Sequence, residues 1–161
     1  MNGCYIALIP AYRPEAALML PMLRALAPHF TRVVVVDDGG GEAYRAVFEG
    51  VRALEIDVVT HKVNLGKGRA LKSGLNHILL RYPECDGVVT ADCDGQHAVE
   101  DILAVRDALA QNPDRLVLGG RAFTGDVGAK SRIGNATMRF LYAVATGIKI
   151  YDTQTGLRGL P

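Results

Sequence analysis

Two hydrophobic rhythms alternate along this chain. Short, continuous apolar runs rich in β-branched residues are followed by stretches in which apolar positions recur every three or four residues. The first rhythm reads as buried strand and the second as amphipathic helix. Strands are predicted over residues 4–9, 32–36, 55–60, 87–91 and 115–118. Helices are predicted near 15–27, 41–52, 67–82 and 98–111. In the last of these, Ile102, Val105 and Leu109 form an apolar stripe at helical spacing. Pro21 lies within the first helix, where it marks either a kink or the helix start. Strands alternating with helices predict an α/β fold, a mostly parallel central sheet covered on both faces. After Gly120 the rhythm changes. Residues 121–130 are glycine-rich and polar and read as a loop, whereas 131–146 read as a helix that is apolar on most sides. The chain then ends in DTQTGLRGLP, with no further element for that stretch to pack against.

Composition adds boundaries to this picture. A length of 161 residues predicts one domain over 1–161, and 49% apolar with 22% charged residues is ordinary for a globular protein. Cys4, Cys85 and Cys93 are an odd set without metal-type spacing, which points to a reducing compartment rather than a disulfide framework. No leader pattern and no membrane-length apolar run is read in the sequence. The net charge of +1 gives no bulk attraction to nucleic acid, and no nucleic-acid partner is expected. Its distribution is uneven. Residues 1–120 carry 12 basic and 15 acidic side chains, against 6 and 2 in residues 121–161. The basic end is either chance in a short segment or a surface for phosphate or anionic lipid.

The chemistry concentrates where strands end. VVTADCDGQH at 88–97 runs a strand into Asp92 and Asp94, with Gly95 allowing a sharp turn. Open α/β sheets bind ligands at this carboxyl edge. One carboxylate suffices to cap the next helix, so the second calls for another role. The pair suits a hard cation held together with substrate phosphates. His97 is read as the start of the next helix rather than a metal ligand, and Cys93 as a small spacer. Asp37 and Asp38 close the second strand ahead of Gly39–Gly41; they serve either as acceptors for a nucleotide base or ribose, or as turn and cap residues. HKVNLGKGRALKSG at 61–74 also has two readings. Asn64 caps a helix with a solvated basic face, or Gly66, Lys67 and Gly68 bring backbone N–H groups and a point charge to a phosphate. Neither Walker nor dinucleotide-fingerprint spacing is present. Arg121, Lys130, Arg132, Arg139 and Arg158 supply late cations that are either solvated or phosphate-binding.

Taken in order, IPAY at 9–12, VVVVDDGG at 33–40, VNLGKGRALKSG at 63–74, ADCDGQH at 91–97 and DTQTGLRG at 152–159 resemble the family 2 inverting glycosyltransferases of GT-A fold. The branch they resemble is that of dolichol-phosphate mannosyltransferases and bacterial polyprenyl-phosphate glycosyltransferases. The resemblance implies that Pro10, Ala11, Tyr12 and Glu15 line the nucleotide pocket. It places Asp38 on the base with Asp37 beside it, and Asn64, Gly66 and Lys67 near the ribose or diphosphate. Asp92 and Asp94 would hold Mg²⁺ or Mn²⁺ with Gln96 as a third ligand, and Arg121 and Arg132 would meet donor or acceptor phosphates. The implied partners are a nucleoside-diphosphate sugar and a polyprenyl phosphate at the cytoplasmic face of a membrane, reached by peripheral contact or by a membrane domain outside this chain. The family domain ordinarily continues past Pro161, so the chain reads as its N-terminal, donor-binding part. Two departures stand out. Arg13–Pro14 replaces the usual Asn-Glu of the opening motif, and Cys93 replaces the usual Ala between the aspartates.

Three other activities compete with the lipid-phosphate reading. An acceptor sugar hydroxyl would need a carboxylate base, for which Asp152 is a weak candidate that reads better as a structural residue. A nucleotidyltransferase would carry a Gly-rich basic loop after the first strand, where this chain has PAYRPE. A non-catalytic nucleotide-sugar-binding module would share the pocket but not the turnover.

Overall fold

A computed structural model describes residues 3–120 and 155–161. The loop and helix expected over 121–146, Arg121, Arg132 and Asp152 lie outside the described residues. Among the described residues, six strands form one mixed, mostly parallel sheet in the order β3-β2-β1-β4-β6-β5. β1 (Tyr5–Ala11), β2 (Arg32–Asp37), β3 (Asp57–Thr60) and β4 (Gly87–Thr90) run parallel, whereas β6 (Arg158–Leu160) pairs antiparallel with both β4 and β5 (Val117–Leu118).

The central strands carry uninterrupted apolar runs, Ile6–Ala11 in β1 and Val33–Val36 in β2, because both faces are covered. Ala7, Ile9, Val33 and Val35 face one layer, where α1 (Ala16–Leu26), α2 (Arg45–Arg52) and α4 (Val99–Gln111) bring Met19, Leu23, Phe48, Ile102 and Leu109. Ile6, Leu8, Val34 and Val36 face the other, where α3 (Lys67–Arg81) brings Ala70 and Ile78. Each fully buried Ile, Leu or Phe contributes about 1.5–3 kcal/mol. This double covering holds β1, β2 and β4 in register, so their carboxyl ends fall along one edge.

Most predicted elements are present, with informative shifts at the ends. Helix 41–52 begins as a 3-10 turn at Glu42–Tyr44 before α2. Strand 55–60 starts only at Asp57, because Glu55 turns the chain at a φ of 60°. Pro21 is an interior residue of α1, whose N-cap is Glu15, so it does not mark the start. β6 is the element the sequence pattern did not predict. Three residues with a central glycine give no periodicity. Gly159 fits there because a Cβ would meet Val105, Leu109 and Val117 at 3.3 Å each, and the strand is defined by its two neighbours rather than by propensity.

Helix α3 lies close to the sheet at Gly74. A Cβ there would stand 2.3 Å from Leu8 Cδ1 and 3.0 Å from Val36 Cγ2. Gly74→Val is therefore expected to lift α3 and cost about 1–3 kcal/mol, read as a lower urea midpoint; an unchanged midpoint would show that the helix has room to spare.

Candidate functional site

The carboxyl ends of β1, β2 and β3 are stitched by backbone hydrogen bonds. Asp38 N donates to Ala11 O at 2.9 Å, and His61 N donates to Asp37 O at 2.8 Å. The Asp38 side chain is 2% exposed and binds the next loop. Leu65 N donates to its Oδ1 at 3.0 Å and Gly66 N to its Oδ2 at 2.8 Å. His61 Nδ1 lies 2.7 Å from Oδ1. A carboxylate only accepts, so Nδ1 carries the hydrogen. Nε2 of the same ring meets Ser73 Oγ on α3 at 2.8 Å. Burial pushes the Asp38 pKa upward, but the Leu65, His61 and Gly66 hydrogen bonds outweigh it and hold the group below its ordinary 3.8.

This clamp explains the glycines of the loop. Gly39, at φ 78°, lies so close to the backbone of Val63 and Asn64 that a Cβ would stand 2.2 Å from Val63 C. Gly66, at φ 87°, is the N-cap of α3 and turns its N–H inward. Asn64 does not cap the helix, contrary to expectation. Its Oδ1 accepts the Gly66 N–H at 2.9 Å, closing a turn over the donor that Asp38 also uses.

A cleft of about 270 Å³ opens beside the clamp. Seven of its eight lining residues are ones anticipated from sequence, namely Pro10, Ala11, Tyr12, Asp38, Asn64, Gly66 and Lys67; the eighth is Ala70. Tyr12 is exposed, and the Arg13 guanidinium lies 5.1 Å from its ring centroid. Two anticipated residues do not line this cleft. Asp37 accepts the Gly40 N–H at 2.8 Å, and Glu15 is exposed at the start of α1.

Lys67 connects the cleft to the acidic edge after β4. Its Nζ stands 2.5 Å from Asp92 Oδ1. The other oxygen, Asp92 Oδ2, is 3.9 Å from Nε2 of buried His97. Asp94 is exposed on the turn made by Gly95 at φ 75°, and its Oδ1 accepts the Gln96 N–H at 3.0 Å. Gln96 is exposed beside it. His97 precedes α4, whose N-cap is Ala98. Cys93 is packed against the core, and burial followed by the neighbouring Asp94 charge pushes its thiol pKa up, in keeping with a spacer. Among the described residues, no group of three or more His, Cys, Asp or Glu side chains could hold a metal ion.

The segment 155–160 completes this edge. Thr90 Oγ1 donates to Gly156 O at 2.9 Å. Gly156 lies against the Asp92 carboxyl so closely that a Cβ would sit 2.2 Å from Oδ2 and 2.6 Å from Oδ1. Arg158, one of the late cations, is exposed on β6, and its Nε donates to Thr155 O at 3.1 Å. His61, Ser73 and Gly156 lie within the sequence motifs, which do not indicate these contacts. Their signals were position alone: a His directly after a strand, a Ser one turn and a half into the next helix, and a Gly three residues before the last strand's centre.

The family model for Glycosyl transferase family 2 matches residues 7–160. The chain belongs to that family. It is 28% identical over 155 residues to an uncharacterized protein of Methanocaldococcus jannaschii, covering 93% of this chain and 61% of that protein. It is 25% identical over 169 residues to UDP-N-acetylglucosamine--dolichyl-phosphate N-acetylglucosaminyltransferase of Methanococcus voltae, covering 94% and 66%. Among solved structures it resembles glucosyl-3-phosphoglycerate synthase of Mycobacterium tuberculosis bound to Mn²⁺, UDP and glucosyl-3-phosphoglycerate. The TM-score is 0.69 at 18% identity, over 99% of this chain and 57% of that one. The fold is thus GT-A, and the chain spans about three-fifths of the length of these relatives.

Two expectations follow from the geometry. Asp38→Asn should lower stability at pH 7 by about 1–3 kcal/mol, since a buried acceptor of three donors is weakened. The folded pKa is depressed, so this contribution is present above the unfolded value and is lost as pH falls through the folded one. The gap between wild type and variant in urea unfolding should therefore narrow below pH 4; an equal gap at pH 7 and pH 3 would contradict a charge-based clamp. Gly156→Ala should displace Asp92 or the backbone of β6 and cost about 1–3 kcal/mol, measured as a drop in thermal midpoint.

Proposed function

We propose that the chain is the donor-binding part of a metal-dependent, inverting glycosyltransferase. It would move a sugar from a nucleoside-diphosphate sugar to a polyprenyl phosphate at the cytoplasmic face of a membrane. The observation that carries this reading is the Lys67–Asp92 contact, which joins the cleft beside Asp38 to an Asp-x-Asp turn on one sheet edge. Family membership supports the transfer chemistry, and the Methanococcus voltae relative supports a UDP-sugar donor and a lipid-phosphate acceptor.

The donor set fits a hard divalent ion. Asp92 and Asp94 offer carboxylate oxygens two residues apart, and Mg²⁺ typically takes one or two carboxylates together with substrate phosphates rather than a complete protein cage. Asp92, Asp94 and, through its side-chain oxygen, Gln96 are the residues that would hold it. When bound, Mg²⁺ or Mn²⁺ supplies positive charge to the departing diphosphate.

The chain's own groups do the remaining work in this proposal. Pro10, Ala11 and Tyr12 form the apolar wall for a nucleoside, while Asp38 keeps the Leu65–Gly66 backbone in place opposite them. Lys67 supplies a point charge for the diphosphate. The bond from the anomeric carbon to the diphosphate oxygen breaks as the acceptor phosphate oxygen attacks from the opposite face. An acceptor that is already anionic needs positioning rather than a general base. Arg121 and Arg132 are assigned to that positioning.

Calorimetric titration with UDP, GDP and CDP, each with Mn²⁺ and with EDTA, tests the reading. UDP should bind in a Mn²⁺-dependent manner, and Asp94→Asn should weaken that binding at least about tenfold, as expected for loss of a metal ligand. Binding of equal strength in EDTA, or in Asp94→Asn, would remove the metal site from the proposal.

A further inference from the structure

We infer that Lys67 is a place-holding cation. It neutralises Asp92 until a diphosphate enters, so metal and nucleotide load together rather than metal first. The inference rests on the donor-site reading above and adds an order of binding to it.

The geometry around Asp92 leaves few alternatives. Oδ1 is occupied by the Lys67 ammonium at 2.5 Å, and Oδ2 faces His97 Nε2 at 3.9 Å. The backbone of Gly156 closes the remaining side, within reach of both oxygens and the carboxyl carbon. A divalent ion approaching Asp92 Oδ1 meets an ammonium at the same oxygen. One of the two cations must yield.

Lys67 is built to yield. Its side chain is 51% exposed, against 26% for Asp92. It is the first residue of α3, where the helix dipole disfavours a cation, and the first turn of that helix has no acidic side chain to compensate. Asp92, just after β4, supplies the compensating charge. Lys67 also lines the cleft itself, so an incoming diphosphate presents a stronger anion within its reach. Once the ammonium swings to the phosphates, Asp92 is released to the ion that accompanies them.

The test is uptake of Mn²⁺ by the 161-residue chain, followed by the spin-resonance signal of the free ion, with and without UDP. Lys67→Gln should bind Mn²⁺ alone about three- to fivefold more tightly than wild type, the range expected for releasing a partly exposed ion pair. Its gain in Mn²⁺ affinity on adding UDP should shrink. Lys67→Arg, which keeps the charge, should stay near wild type. Lys72→Gln removes the same charge from an exposed position five residues further along α3 and should leave Mn²⁺ uptake unchanged. Equal or weaker binding of Mn²⁺ alone by Lys67→Gln would overturn the inference, as would an equal gain in Lys72→Gln, which would reduce the effect to general surface charge. These outcomes are separable from failure of the underlying reading. If wild type takes up Mn²⁺ with UDP, and Asp94→Asn does not, the metal site stands whatever Lys67 does. If wild type takes up no Mn²⁺ with UDP, GDP or CDP, both fall.

Discussion

Asp38 sits at the end of β2 with both carboxylate oxygens turned away from solvent, accepting the Leu65 and Gly66 N–H groups and facing the His61 ring. A buried ionised carboxylate is costly unless each lone pair it turns inward finds a donor. Here the donors all come from the segment between β3 and α3. The demand of one charge for partners thus fixes the path of the loop, and the loop fixes where α3 begins. Ser73 extends the chain of contacts one turn and a half into the helix. Remove that demand and Gly66, Lys67 and the cleft wall lose their common reference point.

The second half of the site is organised by packing rather than by charge. Gly156 lies against Asp92 where any side chain would collide, and Thr90 holds the Gly156 carbonyl from β4. Lys67 bridges the two halves. A polar clamp on one side of β1 and a steric gauge on the other meet through a single flexible side chain. A half-exposed cation between the two suits a ligand that brings its own charge.

Much of this was legible in the residues. The uninterrupted valines of β2 announced a strand covered on both faces, and the acidic pairs at the ends of β2 and β4 pointed to the sheet edge where the cleft opens. Seven of the eight cleft-lining residues were named from motifs in chain order. What stayed hidden was partnership. Asp38 carries the same side chain whether it receives a base or a loop, and only the fold shows the loop's N–H groups aimed at it. Asn64 has the composition of a cap, yet Gly66 occupies that position because its positive φ is needed there. β6 left no periodic trace because three residues around a glycine cannot show one. Its existence is a property of the groove between β4 and β5, which no local window contains.

That strand has a consequence for how the molecule comes together. The cleft beside Asp38 is assembled from residues 10–70, joined by neighbouring parallel strands and one following helix. The seat of Asp92 is different. Thr90 and Gly156 are 66 residues apart in sequence, and their meeting requires closure of a long chain loop before any pairing energy is returned. The cleft side can therefore take shape early, while the seat of Asp92 is finished only when β6 pairs with β4. During synthesis or refolding the walls of the cleft can thus stand before Asp92 is seated against Gly156.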